Sequence, residues 1–169
     1  GHVCGVSMSQ RGQQRRIRAN RAVVLTCGGF EANPEMQRQY WQEKPVLFTA
    51  FRGNTGDGIR MAQAVGADLW HMWHYHGTYC LKHPDPNYPY GIRVKRLPDW
   101  IPGQGAREGV KVPWILLDQQ GQRYMNEYQP YMQDTSQRHM AQFDPLTQTY
   151  PRIPSQMVMD EAGRLNYPI

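Results

Sequence analysis

No apolar run in this chain approaches the roughly 20 consecutive residues that a membrane-crossing helix needs, so the sequence predicts no span. The opening residues, Gly1-His2-Val3-Cys4-Gly5-Val6, lack the basic-then-apolar order of a secretory leader, and none is expected. Cysteine is scarce. Cys4, Cys27 and Cys80 lie far apart, are odd in number and form no CxxC, which excludes a disulfide framework and points to a reducing, cytoplasmic setting. There is no internal repeat and no low-complexity tract. There is also no initiator Met, and the chain starts in what reads as mid-strand. It stops at Leu165-Asn166-Tyr167-Pro168-Ile169 without a closing helix, so the expectation is an internal piece of a longer polypeptide.

What is present is enough for a core: 169 residues fit one domain, or one and a half small ones. The net charge of +5 suits an acidic ligand, a carboxylate substrate or a pyrophosphate, although plain solubility accounts for it equally well. Nucleic acid is not expected. Arg11, Arg15, Arg16, Arg18 and Arg21 alternate with Gln and Gly across a turn, which reads as a solvated hairpin rather than a groove-binding helix.

That hairpin is predicted from residues 3–8 and 15–18 around Ser9-Gln10-Arg11-Gly12-Gln13-Gln14. The continuous apolar run at 22–26 predicts a strand covered on both faces. Asn33-Pro34-Glu35 is a helix start, with Asn as N-cap, Pro first and an acid in the first turn; the helix should reach Tyr40 or Trp41. A second helix begins near Asp57, with a buried stripe of Ile59, Ala62 and Val65 and a left-handed stop at Gly66. Residues 69–75 predict a strand or extended segment, and 83–112 a long Pro/Gly-rich stretch ordered by packing or function. Strands are expected at 114–118, 123–127 and 156–160, with turns at 119–122 and 161–163.

Two glycine-marked junctions carry the most chemistry. Ala22-Val23-Val24-Leu25-Thr26-Cys27-Gly28-Gly29-Phe30 runs a strand into paired glycines, where no Cβ keeps a flat or charged ligand from the main chain. About 25 residues on, Asn54-Thr55-Gly56-Asp57-Gly58 opens a helix and offers free N–H groups beside a carboxylate. The alternative is a tight strand exit and an N-cap. Gly28-Gly29 lacks a third glycine at the step a dinucleotide fingerprint requires.

The series 22–30, Thr55-Gly56-Asp57-Gly58-Ile59, Gly66-Ala67, His76-Gly77-Thr78 and Gly121-Gln122-Arg123-Tyr124-Met125-Asn126-Glu127 resembles the fumarate reductase/succinate dehydrogenase flavoprotein family, which includes the ketosteroid dehydrogenases. The resemblance implies an α+β fold, or α/β with missing parts. Residues 1–55 would end the first segment of a Rossmann-like FAD-binding domain, and 56–169 would belong to a cap, or catalytic, domain. It implies FAD as cofactor, with Cys27, Gly28, Gly29, Thr55, Gly56, Asp57 and Gly58 at its edge. Cys27 stands where the family usually has Thr.

For catalysis the resemblance implies His76 and Thr78, at the family's His-Pro-Thr with Gly77 in place of Pro, as holders of a substrate carboxylate; the alternative is a packed or solvent-facing His. Gly105-Ala106-Arg107-Glu108-Gly109 lacks the dicarboxylate reductases' Thr-Glu pair, and after Asn126-Glu127 no Arg appears until Arg138. The pattern therefore leans to the ketosteroid branch, where Tyr128 or Tyr131 would do acid–base work; Tyr131 is the choice. Each of these tyrosines has the alternative of packing at a domain edge. Arg123 and Glu127 most simply form an ion pair that orders the hairpin.

The expected parent is a flavin-dependent oxidoreductase acting on C–C bonds of a dicarboxylate or steroid-like enone, and the isolated piece is expected to be inactive. Its partners would be the remainder of the FAD domain and, through exposed strand edges, a second copy. The alternative is a non-catalytic structural or metal-binding module using His71, His74 and His76, with Cys80 and His83 near in sequence; no metal is favoured, because no second compact ligand group is present.

Overall fold

The computed structural model describes residues 2–43, 46–75, 79–93, 100–101, 105–106, 113–127 and 139–166. The chain forms two compact units, 1–74 and 75–169.

The first unit opens with the predicted hairpin. Strand β1 (Gly5–Gln10) pairs antiparallel with β2 (Gln13–Arg18) in the register Val6↔Ile17 and Ser7↔Arg16. Both residues of the Arg11-Gly12 turn have positive φ, the twist that suits a two-residue hairpin loop. Alternation along the strands puts Val6, Met8 and Ile17 on one face, all exposed, and Ser7, Arg16 and Arg18 on the other.

The strand expected at 22–26 does not form among the described residues. A ladder needs a second edge, and no described segment pairs with this one; Val24 stays 79% exposed. Helix α1 (Pro34–Tyr40) starts as predicted: Asn33 Oδ1 accepts from the Glu35 and Met36 N–H groups, each at 3.1 Å. Met36 on this helix is buried, as are Phe30 and Trp41, whose rings lie 4.9 Å apart. Gln37 is buried without penalty. Its Nε2 donates to the Glu31 and Val46 carbonyls, and its Oε1 accepts from Val46 N–H.

Helix α2 spans Asp57–Ala64. It ends as a Schellman motif at Gly66, with Gly66 N–H on Gln63 O and Ala67 N–H on Ala62 O. The predicted stripe is only half covered: Ile59 and Ala62 are partly buried, but Val65 is 66% exposed. The extended segment expected at 69–75 is a turn instead, closed by His74 N–H on His71 O at 3.2 Å. His71 takes a positive φ and stacks on Trp70, 4.8 Å away, so local ring contacts replace strand pairing.

The second unit is built on two-stranded antiparallel ladders. These are β3 (Leu81–Lys82) with β4 (Gly91–Ile92), β5 (Trp100–Ile101) with β6 (Gly105–Ala106), and β7 (Trp114–Leu117) with β8 (Gln156–Met159). Its core holds Tyr79, Trp114, Leu116 and Met125, flanked by Tyr124, Met140, Met157 and Met159. The return strand expected at 123–127 shrinks to one bridge, Leu117↔Arg123. The cause is a side chain: the Leu116 N–H donates to Glu127 Oε1 at 2.7 Å, where a paired strand would have offered a carbonyl. The turn expected at 161–163 is the first turn of α3 (Glu161–Asn166), where Asp160 Oδ1 accepts from Gly163 N–H at 2.6 Å in the manner of an N-cap. Helices with short antiparallel ladders make an α+β arrangement, as expected. Among the described residues no helix is long and apolar enough to cross a membrane.

Candidate functional site

The two glycine junctions lie against each other within the first unit. Gly29 O accepts from Gly56 N–H at 2.9 Å, and Asn54 O accepts from Ala32 N–H at 3.0 Å. These bonds bring Cys27, Gly28 and Gly29 to the start of α2. Gly58 passes so near that a Cβ on it would sit 3.2 Å from the Cys27 Cβ. Gly28 bends the chain with φ +76°, a conformation that glycine adopts without strain. Cys27, Gly28 and Asp57 are exposed and Gly29 is partly so, whereas Gly56 and Gly58 are buried. Among the described residues no acceptor meets the N–H groups of Cys27, Gly28 or Gly29, nor those of Asp57 and Gly58.

Asp57 stands in the first turn of α2 with its side chain 67% exposed. Thr55 Oγ1 donates to its Oδ2 at 3.0 Å, and an Arg60 guanidinium nitrogen lies 3.9 Å from its Oδ1. Each oxygen thus has one partner, and the carboxylate remains largely exposed. The cap position of α2 belongs to Gly56, in the left-handed region, so Asp57 is not spent as the N-cap. Chemically, the corner offers main-chain donors, a helix N-terminus and one oriented acceptor, which is what the polar edge of a nucleotide or flavin requires.

Sequence reasoning missed the polar pair behind this corner. Asn54 Nδ2 donates to Glu31 Oε1 at 2.6 Å, across 23 residues of chain. The Asn54 amide fills the space where a Cβ on Gly28 would project, and Glu31 Oε2 lies 2.6 Å from the same point on Gly29. Asn33 adds a tie from its Nδ2 to Thr55 O at 2.9 Å. An acid just after Gly-Gly and an amide just before Thr-Gly-Asp-Gly were the available signals, but nothing in one sequence pairs them.

His76, Thr78 and Tyr131, expected to act on substrate, lie outside the described residues, as do Tyr128 and Arg138. Among the described residues no group of three or more His, Cys, Asp or Glu side chains is placed to hold a metal. His83 is engaged locally: its Nδ1 accepts from Asp85 N–H at 3.0 Å, and its ring lies 4.6 Å from Tyr88. Cys80 is half buried, and burial pushes its thiol above the ordinary pKa, toward the inert form.

In the second unit the perturbed groups serve packing. Burial pushes the Tyr79 phenol up to about 12, while its oxygen accepts from Trp114 Nε1 at 2.7 Å. Burial alone would raise the Glu127 carboxyl. The Arg123 guanidinium and the Leu116 N–H outweigh that and hold it below the usual carboxylate value. The Arg123–Glu127 pair expected from the sequence is thus present, with Glu127 only 2% exposed.

Residues 1–158 match the FAD binding domain family. The chain is 28% identical over 162 residues to a 3-oxosteroid 1-dehydrogenase of Mycobacterium tuberculosis (strain ATCC 25618 / H37Rv), a match covering 94% of this chain and 26% of that protein. A 3-oxosteroid 1-dehydrogenase of Comamonas testosteroni is 41% identical over 76 residues, 40% of this chain and 13% of that protein. Among solved structures, the 3-ketosteroid Δ1-dehydrogenase of Sterolibacterium denitrificans, in complex with 1,4-androstadiene-3,17-dione, superposes with a TM-score of 0.67 at 27% identity, over 99% of this chain and 27% of that one. The chain spans about a quarter of the length of the curated relatives that it matches along most of its extent. The chain belongs to the FAD binding domain family, within the fumarate reductase/succinate dehydrogenase-type flavin-dependent oxidoreductases that include the ketosteroid dehydrogenases.

Proposed function

We infer that this chain supplies one wall of the FAD site of a longer dehydrogenase or reductase acting on a C–C bond, with a steroid-like enone favoured over a dicarboxylate as substrate. The observation that carries this reading is the meeting of the Gly28-Gly29 bend with the Asp57 end of α2, where main-chain N–H groups face no acceptor among the described residues. These residues fit FAD. The bare main chain at Cys27, Gly28 and Gly29 would donate to its polar edge, the start of α2 would favour negative charge, and the exposed Asp57 carboxylate would accept an N–H. When bound, the cofactor supplies hydride exchange with the substrate. The chain's own part is to bind, orient and exclude water; His76 and Thr78 would hold the substrate oxygen, and Tyr131 would move the matching proton.

The substrate preference follows from residue types. The segment lacks the Thr-Glu and early Arg that a dicarboxylate reductase needs for charge pairing and proton delivery, and it carries tyrosines after Asn126-Glu127 instead. The relatives point the same way: one solved neighbour holds 1,4-androstadiene-3,17-dione and another 4-androstene-3,17-dione. Domain limits at 1–55 and 56–169 belong to the same reading.

The test is anaerobic bleaching of bound flavin in the full-length parent on addition of a 3-ketosteroid, with fumarate offered to the dithionite-reduced enzyme in parallel. The steroid should bleach the flavin and fumarate should fail to reoxidise it; the reverse outcome overturns the substrate assignment. The 169-residue chain alone should purify colourless, and stoichiometric flavin bands in its visible spectrum would refute the view of it as one wall only.

A further inference from the structure

We propose that Glu31 and Asn54 form a positioning clamp that sets the geometry of the Gly28-Gly29 bend against the start of α2, and so the affinity of the nucleotide corner; the proposal rests on the FAD reading above. A carboxylate only accepts, so the Asn54 NH2 must face Glu31, as it does at 2.6 Å. That choice leaves Asn54 Oδ1 lying over Gly28. The other Glu31 oxygen lies over Gly29. Each glycine therefore has a polar side chain of the clamp in the place of its own Cβ, while the N–H groups of Cys27, Gly28 and Gly29 meet no acceptor among the described residues. The clamp is fastened at both ends by main-chain bonds, Ala32 N–H to Asn54 O and Gly56 N–H to Gly29 O, and by Gln37 Nε2 on Glu31 O at 2.6 Å. A charge-assisted bond of this kind resists rotation of the bend more than a neutral one. Neither residue need touch the nucleotide; both act through the main chain that does.

The test is FAD affinity, by flavin fluorescence quenching, in the full-length parent, with melting temperature measured in parallel. Asn54→Asp would set two carboxylates face to face and should weaken FAD binding about tenfold or more, the scale of one lost charge-assisted hydrogen bond. Combining it with Glu31→Gln restores one donor and one acceptor, and affinity should return to within about threefold of wild type. A residue needed only for folding would not show this exchange-specific rescue. Wild-type affinity in Asn54→Asp overturns the clamp. So does a double variant that melts like wild type but stays weak, or an Asn54→Asp protein that melts early yet binds FAD normally once folded. Asp57→Ala and Gly58→Val separate the two readings. If these leave FAD affinity unchanged, the site itself is misassigned; if they weaken it while the Asn54 variants do not, only the clamp falls.

Discussion

The glycine corner of the first unit and the β7–β8 core of the second are both made of main chain held by side chains, yet they treat polar groups in opposite ways. In the core every exchange is closed. Trp114 donates to Tyr79, Leu116 to Glu127, and the half-exposed Arg123 clasps the same carboxylate from outside; Tyr79, Trp114, Leu116 and Glu127 are themselves nearly inaccessible. At the corner, Asn54 and Glu31 satisfy each other, while the N–H groups of Cys27 and Gly28 meet no acceptor among the described residues and the Asp57 carboxylate is largely exposed. A buried orphan donor costs about 1–3 kcal/mol, so open donors persist only where water or a ligand can reach them. The core therefore serves stability, and the corner is the part we propose for binding.

Substitutions can break that contrast from either end. The largest effect should come from Trp114→Ala, which empties the core and removes the Tyr79 partner; a loss of about 3–5 kcal/mol is expected in urea unfolding. Glu127→Ala should follow, since it leaves the buried Leu116 N–H unpaired at a cost of about 1–3 kcal/mol. Its pH dependence has a definite sign. The folded pKa of Glu127 lies below its ordinary 4.5, so its stabilisation is complete above that value and fades as the pH falls through the lower folded one. The melting gap between wild type and Glu127→Gln should hold at neutral pH and narrow in acid.

At the corner the ranking of stability and binding should invert. Gly28→Val forces a branched residue into the left-handed region, at about 1–2 kcal/mol, and displaces Asn54, so FAD affinity should fall far more than the melting temperature. If Gly28→Val unfolds the protein as severely as Trp114→Ala, the corner is structural and the contrast fails. The smallest effect is set by Asn33→Ala, which loses the α1 cap and should cost about 1 kcal/mol in unfolding experiments.

The parts legible in the sequence were those with local causes. The hairpin turn, the Asn33-Pro34 helix start and the Gly66 stop all act within a few residues, and each appears as predicted. The seven residues assigned to the cofactor edge fall into one place because they sit at two chain junctions, and the structure brings those junctions together. What could not be read needs partners distant in sequence. Residues 22–26 have strand composition but no described edge to pair with, and the aromatics at 70–74 satisfy one another in a turn. The return strand after Gly121 shrank to one bridge because one buried carboxylate took a main-chain donor, and composition does not announce that. Gly163 disguised α3 as a turn, although Asp160 before Glu161 carried the cap signal. The Glu31–Asn54 pair had no local signature at all.

Amide hydrogen–deuterium exchange on the full-length protein, with and without saturating FAD, tests the assignment of the corner most directly. Peptides holding residues 27–29 and 56–58 should gain protection when FAD binds, while those holding 114–117 stay as slow as before. Unchanged exchange at both glycine junctions in a protein that demonstrably holds FAD would contradict it.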